Sequence, residues 1–380
     1  MDFNTLCVHG SFDRYDNTGS VSVPIFQTAT FAHPGVGQST GYDYSRVQNP
    51  TREHLEKTIA QLEQGEQALA FSSGMAAIAA MMELFSPGDH IVCSDDLYGG
   101  SHRLFHHINA KNGLSFTSVN TSFPEQVKAA IRPETKAILV ETPTNPMMQV
   151  TDLQAIADLA HEHGLLLAVD NTFLTPYLQK PLTLGADLVI HSGTKYLGGH
   201  NDALAGFLVA NDPAICDRLR FIYKNTGGCL SPFDSWLLIR GIKTLPLRME
   251  RQQENALAIA QWLTKQKNVT KVFYTGLPDH PDYELSKRQA RGFGSMISFE
   301  VDSRETAERI LTRVKLIQFA ESLGGVESLI TYPMLQTHAE IPVAEREAKG
   351  ITERLLRLSV GVEGIDDLIA DLTHALGEDA

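Results

Sequence analysis

Asp187-Leu-Val-Ile-His-Ser-Gly-Thr-Lys-Tyr-Leu-Gly-Gly-His200 is the stretch from which the rest of the chain can be read. Leu188-Val-Ile190 is too short for a helix and is bounded by polar residues and glycine, so it reads as a buried strand. The chain then turns, offers the hydroxyls of Ser192 and Thr194, and presents Lys195, the only Lys or Arg between Lys180 and Arg218. A lysine at such a strand end is either a solvated surface residue or an amine held to form an imine with a carbonyl cofactor. What the other strands deliver decides between the two.

Strands and helices alternate on both sides of this stretch. Strands are expected at Gln67–Phe71, His90–Ser94, Ala137–Glu141, Leu165–Asp170 and Leu188–His191, with helices at Gly74–Leu84, after Gly100 and at Leu153–His163. Near-continuous apolar strands alternating with helices predict an α/β fold, a mostly parallel sheet covered on both faces. Ligands of such sheets sit beyond the carboxyl ends of the strands. The site candidates are therefore the polar residues there: Ser73, Tyr98, Glu141 with Asn145, Asp170, and Ser192 to Lys195.

Residues 1–52 are rich in Gly, Ser, Thr and Asn and lack periodicity, which predicts an irregular arm. Its aromatic residues, Phe26, Phe31, Tyr42 and Tyr44, favour an arm laid across a partner over a disordered one. A helix opens after Pro50 with Thr51 as its expected cap and Leu55, Ile59 and Leu62 on one face. Residues 53–235 are expected to form the sheet domain. A long helical pattern from Leu245 to Trp262, followed by strands at Lys271–Tyr274, Ser295–Val301 and Leu355–Val360, predicts a smaller α+β domain over 236–380.

Composition excludes several function classes. The net charge of -13 opposes binding to nucleic acid or an anionic membrane. No apolar stretch reaches spanning length and the first ten residues lack a leader pattern, so a cytoplasmic location is expected. The cysteines Cys7, Cys93, Cys216 and Cys229 have neither disulfide nor zinc spacing, and Cys93 falls in an apolar strand. His102, His106 and His107 share a helical neighbourhood, but no carboxylate or cysteine completes a set, so no metal site is expected.

Chemistry concentrates at the strand ends. Asp170 is a carboxylate delivered by the buried run Leu165-Leu-Leu-Ala-Val-Asp170, either as a cap or internal ion pair or as the partner of a cation. With Lys195 it matches what pyridoxal phosphate requires, an amine for the aldehyde and an acid that keeps the ring nitrogen protonated. Ser72-Ser-Gly-Met-Ala-Ala77 joins a strand to a helix and is either a simple cap or an anion site built from backbone N–H groups and Ser73. Ser192 and Thr194 can converge on the same anion. Tyr98, beside Gly99 and Gly100, either packs in the core or lies against a planar cofactor. Arg357, within Leu355-Leu-Arg-Leu-Ser-Val-Gly361, is either a buried ion-pair member or a fork for a substrate carboxylate.

Taken together, Tyr44-Ser-Arg46, Asn49-Pro-Thr-Arg52, Ser72-Ser-Gly-Met75, Tyr98-Gly-Gly100, Glu141-Thr-Pro-Thr-Asn-Pro146, Val169-Asp-Asn-Thr172, Ser192-Gly-Thr-Lys-Tyr-Leu-Gly-Gly199, Glu321-Ser-Leu-Gly-Gly325 and Leu356-Arg-Leu-Ser-Val-Gly361 resemble the Cys/Met-metabolism family of pyridoxal phosphate enzymes. The resemblance spans nearly the whole chain in one order. It implies the fold type I architecture of aspartate aminotransferase-like enzymes and pyridoxal 5'-phosphate as cofactor. It further implies that Lys195 forms the imine, Asp170 binds the ring nitrogen, Tyr98 stacks on the ring and acts in catalysis, and Ser73, Gly74, Met75, Ser192 and Thr194 hold the phosphate. Tyr44 and Arg46 are implied to reach the phosphate of a neighbouring subunit, within a homotetramer of two tight dimers. Asn145, Ser322 and Arg357 match positions that hold the substrate carboxylate, with Glu141 and Glu321 beside them.

Within the family, Gly100 stands where methionine γ-lyases typically carry cysteine. Glu321 before Ser-Leu-Gly-Gly resembles γ-synthases and γ-lyases. Pro232-Phe-Asp-Ser-Trp-Leu-Leu238 and Ile330-Thr-Tyr-Pro-Met-Leu-Gln-Thr-His338 look most like bacterial γ-synthases that also act as O-acetylhomoserine thiol-lyases. The resemblance thus implies γ-replacement of an O-acyl-homoserine by cysteine, with cystathionine γ-lyase or β-lyase action as the alternative. A catalytically silent binding protein on this fold is a reading of another class, opposed by the intact Lys195, Asp170, Tyr98 and Arg357. A nucleotide-binding dehydrogenase lacks its GxGxxG loop after the first strand.

Overall fold

The computed structural model describes residues 1–11, 18–336 and 343–377. Seven strands form the larger sheet: β1 (Gln67–Phe71), β2 (His90–Ser94), β3 (Ser115–Val119), β4 (Thr135–Glu141), β5 (Leu166–Asp170), β6 (Leu188–Ser192) and β7 (Gly206–Ala210). Their order is β1-β7-β6-β5-β4-β2-β3, and β7 alone runs antiparallel to its neighbours β1 and β6. The expected mostly parallel α/β sheet is present. Two features go beyond the expected strands: β3, whose residues are half-buried or exposed, and the reversal that places β7 between β1 and β6.

Period-two alternation sorts the strand residues onto two faces. Ala137, Leu139, Ala168, Leu188 and Ile190 pack with the helix Gly74–Met82. On the opposite face, Val169, Ile138 and Val140 pack with the helix Leu153–Glu162. Val189, Phe207 and Val209 share that face and pack with the helix Pro50–Glu63, whose Leu55, Ile59 and Leu62 are fully buried as the periodicity predicts. The cap of this helix differs from expectation. Asn49 accepts hydrogen bonds from the N–H groups of Thr51 and Arg52, whereas the Thr51 hydroxyl accepts from Phe26 N and donates to Pro24 O. Pro50 fills the first helical position, so the cap lies one residue before it.

The second sheet comprises β8 (Val269–Phe273), β9 (Met296–Val301), β10 (Gln318–Phe319), β11 (Leu329–Thr331) and β12 (Leu355–Ser359), in the order β10-β11-β12-β9-β8. The two short strands, β10 and β11, carried no readable pattern. The helices Leu245–Leu263, Arg304–Arg313 and Ile365–Leu376 cover one face, where Ile297, Phe299, Leu356 and Leu358 are buried. Arg357 and its register partner Ser298 consequently face the other way, toward the larger sheet, where Ser298 Oγ donates to Pro146 O at 2.7 Å.

Within the arm the helix Phe3–His9 is present, capped by Asp2, against the expectation of wholly irregular structure. The division of the chain at residues 52 and 235 stays our proposal; the helices Pro50–Glu63 and Pro232–Ile242 run across those two positions. No helix among the described residues is long and apolar enough to cross a membrane.

Candidate active site

A cavity of about 180 Å³ opens at the carboxyl ends of β4, β5 and β6. It is lined by Ser73, Gly74, Met75, Tyr98, Glu141, Asn145, Asp170, Ser192, Thr194 and Lys195, so ten of the residues predicted from sequence converge on one space. Ser322 and Arg357 adjoin it through Lys195 and Asn145. Glu321 lies next door, in a second cavity of about 650 Å³ shared with Thr194, Asn201, Asp202, Ser322 and Glu327. Tyr44 and Arg46 line neither space. Arg46 stacks over the half-exposed Tyr44 ring, 5.4 Å from its centroid, and its guanidinium donates to Lys224 O. Thr337 and His338, the end of the run read as γ-synthase-like, lie outside the described residues.

One wall of the cavity is the amino end of the helix Gly74–Met82. Its first N–H groups precede the first internal hydrogen bond and aim with the positive helix end at one spot. Ser73 caps this helix by accepting from Ala76 N at 3.1 Å. The approach is close. A Cβ on Gly74 would stand 3.1 Å from Ser192 Cβ, and one on Gly206, at the start of β7, 2.1 Å from Ser73 O. Thr194 exchanges hydrogen bonds with the backbone of Ala205, which fixes the turn between β6 and Lys195.

Asp170 and Glu141 are register partners on adjacent parallel strands, so two carboxyl groups reach the same floor. Burial and then the neighbouring Asp170 push the Glu141 carboxyl well up, while the Tyr98 N–H, donating to Glu141 at 2.9 Å, opposes the shift. Burial raises Asp170 too, opposed by the Thr172 hydroxyl and N–H, which donate to Asp170 at 2.6 and 3.0 Å. The same Thr172 Oγ1 accepts from Ser192 N at 2.8 Å and so ties the Asp170 carboxylate to the Lys195 turn. Thr172 closes the motif Val169-Asp-Asn-Thr172 with no task expected of it; its place two residues after a strand-end acid is the available signal.

Across the cavity, the Lys195 amine donates to Ser322 Oγ at 2.8 Å. Burial, and then the charge of Arg357, lower its pKa to about 8, with Glu321 opposing. Arg357 is buried and donates to Asn145 Oδ1 at 2.8 Å, Ser322 O at 3.0 Å and Thr331 Oγ1 at 3.1 Å, all neutral acceptors. Its Nε has no partner, and no carboxylate forms an ion pair with it among the described residues. The structure therefore does not support the ion-pair alternative for Arg357. A buried guanidinium without a counter-charge is costly to hold and is poised for an incoming carboxylate.

This donor set fits pyridoxal phosphate. A helix amino end suits the phosphate, a pair of carboxyl groups that forms no ion pair among the described residues suits a protonated ring nitrogen, and an amine of lowered pKa suits the aldehyde. A larger cavity of about 480 Å³ beside Val269–Phe273 and Asp279–Asp282 offers no such convergence.

Comparison with known proteins agrees. Residues 4–377 match the family model described as Cys/Met metabolism PLP-dependent enzyme. Over 376 residues the chain is 52% identical to the cystathionine gamma-lyase of Bacillus subtilis, covering 99% of each chain. It is also 52% identical over 374 residues to the cystathionine gamma-synthase of Haemophilus influenzae, covering 98% of this chain and 97% of that one. A cystathionine beta-lyase of Lactococcus lactis is 49% identical over 372 residues, covering 98% of each. The solved cystathionine gamma-lyase of Lactobacillus plantarum, complexed with L-serine, superposes with a TM-score of 0.96 at 46% identity, covering 99% of each chain. By the family match, these relatives and the shared fold type I architecture, the chain belongs to the Cys/Met metabolism family of PLP-dependent enzymes.

Proposed function

We propose that the chain is a transsulfuration enzyme that replaces the γ-substituent of an O-acyl-homoserine with cysteine, giving cystathionine. The observation that carries this reading is the position of Glu321. It precedes Ser322, which contacts both Lys195 and Arg357, and it lines the neighbouring cavity with Asp202 and Glu327. An acidic space beside the Arg357 end suits the ammonium group of a second amino acid, and γ-replacement joins two amino acids.

In this reading Lys195 carries the cofactor aldehyde, and Asp170 holds the ring nitrogen with Glu141 beside it. Tyr98 lies on the ring, while Ser73, Gly74, Met75, Ser192 and Thr194 hold the phosphate. Tyr44 and Arg46, exposed and lining neither cavity of their own chain, complete the phosphate site of a neighbouring subunit, within the homotetramer that the family resemblance implies. Bound pyridoxal phosphate supplies the electron sink that makes the α-proton of an attached amino acid removable. Arg357 and Asn145 orient the substrate through its carboxylate. Once the substrate amine has taken its place on the cofactor, the freed Lys195 Nζ would take the α-proton, since an amine with a pKa of about 8 is partly unprotonated at neutral pH. Lys195 and Tyr98 move the further protons that departure of a γ-substituent requires.

A second reading, cystathionine γ-lyase, is favoured by the equal identity to the Bacillus subtilis relative; β-lyase action stands behind it. Incubation with O-acetyl- or O-succinyl-homoserine and cysteine tests the first reading. Cystathionine is the expected product, and its absence with both esters, while a keto acid accumulates, would overturn γ-replacement.

A further inference from the structure

Behind Asp170, on the opposite face of the larger sheet, lies a buried acid–base pair with no part in the chemistry above. Ile190 lines the cavity, and the next residue of β6, His191, points away from it. His191 is fully buried, and its Nε2 donates to Glu63 Oε1 at 2.6 Å, across 128 residues of sequence. The same oxygen accepts from Asn171 Nδ2 at 3.0 Å, and Asn171 immediately follows Asp170. Asn171 and Gln179 exchange two further hydrogen bonds that hold this layer together. Glu63 Oε2 and His191 Nδ1 have no partner. Glu63 is fully buried, and His191 is its only basic partner among the described residues.

We propose that His191, as an imidazolium held by Glu63, is a positioning residue that acts through Asp170, supplying the positive charge behind the sheet that keeps the Asp170 carboxylate ionised against the ring nitrogen of pyridoxal phosphate. The inference rests on the cofactor reading of the site. With a neutral imidazole, either Glu63 holds the shared proton and no cation stands behind Asp170, or Glu63 is an uncompensated buried carboxylate at that place. With an imidazolium, the Glu63 charge is matched and the cation sits on β6, the strand next to Asp170, while the anion sits on the helix below. The attraction of His191 accordingly opposes the upward push of burial on Asp170. Asn171 fixes the spacing by binding Glu63 while continuing the Asp170 strand.

Apoprotein of wild type and of His191→Asn, reloaded with pyridoxal phosphate carrying nitrogen-15 in the ring, tests this by magnetic resonance of that nitrogen and by the equilibrium dissociation constant. In His191→Asn the ring nitrogen resonance is expected to move toward the unprotonated position and the cofactor to bind about tenfold more weakly. A folded variant with an unmoved resonance and a dissociation constant within about twofold of wild type overturns the inference. Neutron diffraction from wild-type holoenzyme decides it without any variant: deuterium on both ring nitrogens of His191 is expected, and deuterium on one alone overturns it. Failure of the wild type to bind the cofactor overturns the site reading itself, and the inference with it.

Discussion

The amine of Lys195 donates to the hydroxyl of Ser322 at 2.8 Å, joining the end of β6 to the loop before β11. The carbonyl of Ser322 accepts from Arg357 at 3.0 Å, so one residue touches both the base and the carboxylate fork. Ser322 does this with φ of 105°, a conformation that favours glycine. Ser322→Ala removes the hydroxyl acceptor and is expected to lower kcat by about tenfold with a smaller change in KM. Ser322→Gly loses the same hydroxyl but relaxes the backbone, and its folded state is expected to gain up to about 1 kcal/mol. Steady-state kinetics and thermal unfolding on the two variants check the opposed effects.

Arg357 should separate binding from stability. Arg357→Met removes the carboxylate fork and is expected to reduce kcat/KM by about 100-fold, the equivalent of about 3 kcal/mol. It also removes a buried charge that forms no ion pair among the described residues. The apoprotein variant is therefore expected to unfold at a temperature no lower than wild type, which calorimetry reads directly.

Lys195 predicts two pH dependences in the apoprotein. Covalent attachment of pyridoxal phosphate, followed by absorbance, should accelerate as pH rises through about 8, where the amine loses its proton. Its folded pKa lies below the ordinary 10.5, so between about 8 and 10.5 the unfolded chain binds more protons than the folded one. Stability from this group therefore rises with pH across that window. Lys195→Met should lose this part of the slope in denaturant titrations at a series of pH values.

The start of β7 controls the phosphate end. A Cβ on Gly206 would lie 2.1 Å from Ser73 O and 2.7 Å from Gly74 N, both backbone atoms that cannot rotate away. Gly206→Ala is expected to displace the amino end of the helix Gly74–Met82, weakening cofactor affinity by about tenfold or more while costing about 1–3 kcal/mol in stability. Circular dichroism and cofactor titration separate the two effects.

Much of the cavity was legible because a parallel sheet delivers the residues after its strands to one edge; that rule alone selects Ser73, Glu141, Asp170 and Ser192 to Lys195. Arg357 was legible as a cation in an apolar strand, but its lack of a counter-charge depends on neighbours far apart in sequence. The pair of His191 and Glu63 was illegible for the same reason. Asn49 displaced Thr51 as a cap because Pro50 occupies the first helical position, a local rule the sequence contained. The reversal at β7 carried no signal, since Gly206-Phe-Leu-Val-Ala210 is equally suited to a strand of either direction.

If the site works at the γ-carbon, as proposed, cystathionine offered alone to the holoenzyme reveals it. Cleavage on the γ side releases 2-oxobutyrate with cysteine, whereas cleavage on the β side releases pyruvate with homocysteine. The acidic space around Glu321 predicts that 2-oxobutyrate dominates whatever turnover occurs. Pyruvate as the main keto acid would contradict action at the γ-carbon.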